Sequence, residues 1–347
     1  LTDSVKQTLE DYNLRYTEED DLCFKRRKKG KGFQYLDEKD RNVTDEKLKE
    51  RFKSLVIPPA WKNVLICSDK KGHIQATGWD KKGRKQYIYH EKWEEFRSVT
   101  KFNRLIEFGE ALPEIRKQVK KDLRKKSLLR NKVLAVIIRL LEETLIRVGN
   151  EIYAEQNKSY GLTTLKDKHI HIKGITIYFH FNGKSGKPFE LDLKDRTLAG
   201  IVSSCQELPG QNLFQYIDED GNPRRVESAD VNEYLNSIVE KDFTAKDFRT
   251  WGATVITAEN LSRVLPSDNE NKNKKLISDV VKQTAAELNN TPAVCREYYI
   301  HPYIIDAWMD GYLAKAMSAG YKIRSGSDRT EEAVLRILKK YSKEIRD

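Results

Sequence analysis

The stretch Gly83–Leu105, GRKQYIYHEKWEEFRSVTKFNRL, changes its periodicity half-way along. In its first part Gln86 and Ile88 fall on one side of an extended chain and Tyr87 and Tyr89 on the other, the alternation of a β-strand. From Glu91 onward the apolar residues recur at helical spacing, and the pattern continues through "EALPEIRKQVKKDLRK". The switch places a domain boundary near Lys92 to Ser98. Residues 1–95 are expected to form a small β-rich domain and residues 96–347 a larger, mainly helical one.

Working outward, short alternating runs such as "NVLICS", "HIQATGW" and "KQYIYH" sit between Gly, Pro and Lys/Asp turns over residues 33–89, which supports the β-rich reading. On the other side, "NKVLAVIIRLLEETLIRVGNEIYAEQN" reads as one long helix. It is followed by "HIHIKGITIYFHFNGKSGKPFELDL", two strands around an Asn-Gly-Lys-Ser-Gly turn. Helices resume after Lys194. "SDNENKNKK", Ser267–Lys275, reads as a solvated loop between two of them, and the segment after Tyr303 as packing helices. The fold class is α+β, with a β-hairpin inserted into a helical domain.

A chain of 347 residues, 38% hydrophobic, can build more than one core. Its formal net charge of +11, spread over a chain in which 34% of residues are charged, points to a polyanionic partner, nucleic acid first. Cys23, Cys67, Cys205 and Cys295 form no CxxC or Cys/His pair at zinc spacing, so neither a disulfide framework nor a structural metal is expected. No run of eighteen apolar residues occurs, and the opening "LTDSVKQTLED" is polar and acidic, so neither a membrane span nor a signal peptide is expected. The expected location is cytoplasmic and nucleoid-associated.

Basic clusters suggest where a polyanion would bind. "KRRKKGKG", with Arg26 and Arg27, is interrupted by glycines and reads as phosphate-contacting rather than as an address signal. "DKKGRKQYIYH" interleaves Lys82, Arg84 and Lys85 with Gln86, Tyr87 and Tyr89, types suited to phosphate, sugar and adenine contacts; the competing reading makes the aromatics the core face of a strand. The GKS triplet of "FNGKSGK" is not a nucleotide-binding loop, because Tyr178 stands where that pattern needs a glycine. What remains is Lys184 at a hairpin tip. His169 and His171 share a face of a strand but have no acid at ligand spacing, so no metal site is expected.

Arg147 falls near the buried stripe of its helix and needs an anionic partner, for which Glu143 and Glu151 are at the right spacing. Lys246 and Arg249 lie three apart in "FTAKDFRTWGAT" and share a helical face. In "NNTPAVCREYYIHPYI", Asn289–Ile304, Thr291 and Pro292 open a short helix and His301-Pro302 end or restart it. Tyr298 and Tyr299 then point about 100° apart, and periodicity does not choose between them.

The motifs "IRVGNE", "FNGKSGK", "KDFRTWG" and "NTPAVCREYYIHP", in that order, resemble the type IB DNA topoisomerases of the bacterial and poxvirus-like branch, and "KKGKGFQYLD", "IPPAW" and "GRKQYIYHEKW" extend the resemblance over nearly the whole chain. The resemblance implies an isomerase that relaxes supercoiled duplex DNA through a 3′-phosphotyrosyl intermediate, followed by strand rotation and religation. It implies Tyr299 as nucleophile, Arg147 and Arg249 as catalytic arginines, Lys184 as general acid and Lys246 as its assistant. Asn290, nine residues before Tyr299, stands where many members carry histidine; it offers a transition-state hydrogen bond but no ionisable group. No cofactor, nucleotide or metal is required on this reading, and the partner is double-stranded DNA, clamped by a monomer. A tyrosine recombinase shares the chemistry, but usually carries histidine where this chain has Lys246 and a helical domain where this chain has a β-rich one. A non-catalytic basic DNA-binding protein would need no such tyrosine.

Overall fold

A computed structural model describes Leu9, residues 12–320 and residues 323–344, with the side chains of residues 94–101 and 103 outside the description. The opening polar stretch, apart from Leu9, therefore lies outside the described residues. The chain divides into two compact units, one up to Phe102 and the other from Asn103.

The first unit is a five-stranded antiparallel sheet in the order β2-β1-β3-β4-β5: β1 (Phe24–Lys29), β2 (Gly32–Leu36), β3 (Lys62–Ile66), β4 (Ile74–Trp79) and β5 (Lys85–Tyr89). Helix α1 (Glu46–Ser54), whose N-cap Asp45 accepts from Lys47 N at 2.8 Å and Leu48 N at 3.2 Å, covers it. Phe52 of α1 packs on Phe24 and Tyr35 with ring centroids 5.0 and 5.1 Å away, over a core of Ile57, Val64, Ile66 and Ala76.

Three expectations change in this unit. The basic cluster from Lys25 is strand β1, and the glycines do not interrupt it: Gly30, at φ 57°, lies in the turn and Gly32 opens β2. Arg26 is not presented to a phosphate: its guanidinium donates to the carbonyls of Ile57 (2.7 Å), Pro58 (2.8 Å) and Trp61 (3.3 Å) and stacks over Phe33. It serves as a strut for the "IPPAW" loop. Gln86 lies on the same side of β5 as Ile88, which packs on the core, and its amide donates to Asp80 at 3.1 Å, so it is engaged within its own turn rather than reading outward. Arg84 also pairs with Asp80, at 2.7 Å.

The second unit is built around α3 (Arg130–Thr144), in which Val133 to Ile138, Leu140 and Leu141 are all buried, as befits a central helix that is apolar all round. Around it lie the part of α2 (Glu91–Leu123) from Asn103 onward, α4 (Glu151–Asn157), α5 (Arg196–Gln206), α6 (Ser228–Val239), α7 (Ala245–Ser262), α8 (Glu270–Glu287), α9 (Pro292–Tyr298), α10 (Pro302–Met309), α11 (Tyr312–Ser318) and α12 (Arg329–Glu344). The inserted β element has three strands rather than two, β6 (Ile170–Lys173), β7 (Thr176–Asn182) and β8 (Pro188–Lys194), because Gly174, at φ 63°, turns β6 back onto β7. A small hairpin, β9 (Gln215–Ile217) with β10 (Pro223–Arg225), follows.

The polar run Ser267–Lys275 is mostly helix: Asn269 caps α8 by accepting from Lys272 N, and Asn273 is buried with its amide bonded to both Ser267 N and Ser267 O. Asparagine's capping chemistry outweighs the low hydrophobicity that suggested a loop. His169 ends a single 3₁₀ turn before β6, buried and accepting from Lys166 N, and burial lowers its pKa to about 4; His171 is exposed on the strand. Among the described residues no group of three His, Cys, Asp or Glu could hold a metal, and no helix is long and apolar enough to cross a membrane.

Because Arg26 supplies three carbonyls with donors, Arg26→Met should destabilise the first unit by about 2 kcal/mol in denaturant unfolding. The salt dependence of DNA binding should keep its slope; a fall of about one unit would mean that Arg26 holds a phosphate after all.

Candidate active site

The continuous helix expected through Arg147 does not form. Helix α3 stops at Thr144, whose hydroxyl bonds Leu140 O at 2.6 Å and receives Ile146 N, and Leu145 turns into the left-handed region at φ 51°. Arg147 therefore stands in a short extended segment. Its carbonyl accepts from Leu162 N (2.9 Å) and the next one, of Val148, from Thr163 N (2.7 Å). Two glycines allow this approach: a Cβ on Gly161 would sit 2.5 Å from Arg147 O, and Gly149 has φ 103°. Glu143 and Glu151 are not the partners of Arg147. Glu143 pairs with Arg139 and Glu151 with Arg225, while Arg147 Nη2 donates to Asn290 Oδ1.

Arg249 organises the opposite side. It is 3% exposed on α7, and it donates Nη1 to Leu145 O and Nη2 to Leu288 O at 2.9 Å. Both acceptors are C-caps, of α3 and α8, where orphan carbonyls and the negative ends of helix dipoles favour a cation. Two residues beyond Leu145 lies Arg147, and two beyond Leu288 lies Asn290. A single guanidinium thus brings together the two segments whose next side chains bond each other. The Arg249 Nε and the Asn290 Nδ2 are buried donors without a hydrogen-bond partner.

The tyrosines separate at the end of α9. Thr291 caps it by accepting from Val294 N, as expected, and His301 caps α10 by accepting from Tyr303 N at 3.2 Å. Tyr298 is the last helical residue and 44% exposed. Tyr299 is the C-cap, with φ −132°, and follows the buried Cys295 side of the helix inward. Its carbonyl accepts from Thr254 Oγ1 of α7 at 3.2 Å, and the same hydroxyl receives His301 N at 3.2 Å. The Arg249 guanidinium lies 5.3 Å from the centroid of the Tyr299 ring. Thr254 has no signature in the sequence, since a threonine inside an apolar helix gives no signal.

Burial alone would push the Tyr299 hydroxyl up, but Arg249, then Lys246 and Arg147, together with a hydrogen bond from Arg249, outweigh it and bring the net pKa down. Burial and the neighbouring charge of Arg147 lower Arg249 in turn, to about 10, which leaves it cationic at neutral pH. Burial likewise lowers Arg147. Lys246 is exposed in the first turn of α7. Lys184 is exposed at the β7–β8 tip and makes no hydrogen bond or ion pair among the described residues; the hairpin base is held beside the site by Asn289 Nδ2 on Pro188 O at 3.3 Å. The site is thus a half-buried cradle of two guanidiniums, with two unpaired donors and a phenol whose pKa the neighbouring cations lower.

Residues 90–316 match the family described as eukaryotic DNA topoisomerase I, catalytic core, and residues 32–80 match the bacterial DNA topoisomerase IB N-terminal domain. The chain belongs to the type IB DNA topoisomerases. It is 34% identical over 318 residues to the DNA topoisomerase 1B of Acanthamoeba polyphaga mimivirus, covering 90% of this chain and 92% of that one. The DNA topoisomerase 1B of vaccinia virus is 27% identical over 241 residues, 67% of this chain and 72% of the viral one. The N-terminal match is the bacterial one although these relatives are viral, which sets this topoisomerase in the bacterial and viral branch.

Removing one of the cations that acidify Tyr299 should move its titration to higher pH. Lys246→Met is expected to shift the tyrosinate difference spectrum, measured against Tyr299→Phe, upward towards the ordinary tyrosine value near 10. An unchanged or lower titration would contradict the charge balance described above.

Proposed function

We propose that Tyr299 is the nucleophile of this topoisomerase and that relaxation proceeds through a 3′-phosphotyrosyl link. Tyr299 releases its proton to solvent, the neighbouring cations favouring the phenolate; the phenolate oxygen attacks the phosphorus of one DNA strand, and the P–O5′ bond breaks as the new P–O bond forms. One diester replaces another, so the step conserves bond energy and needs no nucleotide hydrolysis. The cut strand rotates about its partner, and the 5′-hydroxyl then reverses the attack.

The observation that carries this reading is the pair of unpaired buried donors, Arg249 Nε and Asn290 Nδ2, in a cradle that already holds two guanidiniums. Buried donors are nearly always satisfied, and the nonbridging oxygens of a phosphate would satisfy these. In the pentacoordinate transition state those oxygens gain charge, which Arg147 and Arg249 would stabilise more than they stabilise the ground state. The leaving 5′-oxygen takes a proton from Lys184, assisted by Lys246; the exposed hairpin tip leaves the Lys184 ammonium free to meet bound DNA. Cationic side chains supply the charge that a metal would otherwise provide, so no cofactor enters the scheme.

Residues 1–95 are proposed to contribute DNA contacts and residues 96–347 the chemistry. With Arg26 and Gln86 engaged internally, the N-terminal contacts fall to Arg27, Lys82 and Lys85, to Arg84 where DNA draws its exposed guanidinium from Asp80, and to Tyr87 and Tyr89, which stack on each other at 5.9 Å.

Purified protein is expected to relax supercoiled plasmid without ATP or magnesium. Tyr299→Phe should abolish the covalent adduct on denaturing gels, and Tyr298→Phe should retain it. The reverse pattern would falsify the assignment of the nucleophile.

A further inference from the structure

The chain after α11 has no task in the functional reading, and the match to the catalytic core ends at residue 316. Its contacts begin at a defect in α2. Pro113 has no N–H, so the carbonyl four residues earlier, of Gly109, lacks its helical donor. The Arg324 guanidinium supplies one at 3.0 Å, reaches Glu110 O at 3.2 Å, and pairs through Nε with the buried Glu332 at 2.5 Å. Gly326, at φ 90°, then lies against Pro113, where a Cβ would stand 3.4 Å from the proline Cα, and its carbonyl accepts from Arg116.

Arg116 carries the connection onward. It holds Glu142 of α3 at 2.5 Å and clamps Glu331 of α12 through two bonds of 2.7 Å. Glu331 is 5% exposed, and its Oε1 also accepts from Trp251 Nε1 at 3.0 Å. Burial raises the Glu331 carboxyl, but Arg116 and Trp251 lower it further, so it stays ionised.

Trp251 stands two residues after Arg249 on α7. Its ring edge lies so close to Gly109 that a Cβ there would overlap it, and the following Gly252 meets Leu145, with a built Cβ 2.6 Å from Leu145 Cδ2. Leu145 is the residue whose carbonyl holds Arg249. Rotation of α7 about its axis would break the Trp251–Glu331 bond and carry Arg249 away from that carbonyl.

We infer that residues 324–344 act as a strap that fixes the rotation of α7, and that Glu331 is a positioning residue for Arg249, acting through Trp251. This inference rests on the reading of Arg249 as a transition-state cation. The test is single-turnover cleavage and religation at saturating DNA. Glu331→Leu should lower both rate constants together by about tenfold, since a small misplacement of a catalytic group is costly, while the covalent fraction at equilibrium and the DNA affinity stay unchanged. Glu331→Gln keeps an acceptor for Trp251 and should cleave close to the parent rate, although the lost charge opposite Arg116 lowers its Tm. A tail that only stabilises the fold would reduce the fraction of active molecules at an unaltered rate constant, and that result overturns the strap. If Glu331→Leu does not fold, Trp251→Phe removes the indole N–H, leaves the Arg116–Glu331 pair, and should show the same loss. Arg249→Ala is measured alongside: if it cleaves at the parent rate, the reading of Arg249 fails, and if it is crippled while Glu331→Leu and Trp251→Phe are not, only the strap fails.

Discussion

The site depends on the burial of one guanidinium. A buried arginine without partners would cost several kcal/mol, so Arg249 must be compensated, and it is compensated by the carbonyls that two helices leave unpaired at their ends, Leu145 and Leu288. This solves two problems at once, since the helix ends need donors and the cation needs acceptors. The geometry that follows is not incidental to the chemistry. Each capped end is followed, two residues later, by a side chain that reaches into the same space, Arg147 on one side and Asn290 on the other, and these bond to each other. Burial first, and then the like charge of Arg147, lower the pKa of Arg249, and the cradle is left short of negative charge. On the proposed reading a phosphodiester would supply that charge, and so would the phenolate of Tyr299.

The same helix that carries Arg249 also fixes the tyrosine. Thr254, five residues further along α7, takes both the carbonyl of Tyr299 and the amide of His301, the groups left over where the chain passes from α9 to α10. The cation and the main chain of the candidate nucleophile are therefore referred to one rigid element. Gly161 and Gly149 do the corresponding work for Arg147 by letting its backbone lie against the 161–164 turn.

Much of this was legible in the sequence. The switch from two-residue to helical periodicity after Tyr89, the Thr291-Pro292 start and the His301-Pro302 restart are local signals, carried by side chains that do in the structure what their chemistry indicates. The end of α3 was not legible, because Leu145 is an apolar residue in a left-handed conformation that sequence reserves for glycine or asparagine, and Ile146 continues the helical pattern past it. The engagement of Arg26 is not legible for a related reason: a basic run advertises charge, but not whether three carbonyls of a distant loop take up one of its members. Backbone acceptors such as Leu145 O and Leu288 O have no signature at all. The Trp251–Glu331 bond joins residues 80 apart and belongs to the same class of long-range fact.

Two adjacent tyrosines remain the sharpest point of discrimination, since one ends a helix facing solvent and the other turns inward beneath Arg249. The most direct measurement is mass spectrometry of the covalent complex, trapped on DNA, digested with protease and nuclease, and fragmented to locate the residual nucleotide. The account predicts a 3′-phosphonucleotide on Tyr299 alone. A nucleotide on Tyr298, or on a residue outside this segment, would contradict it.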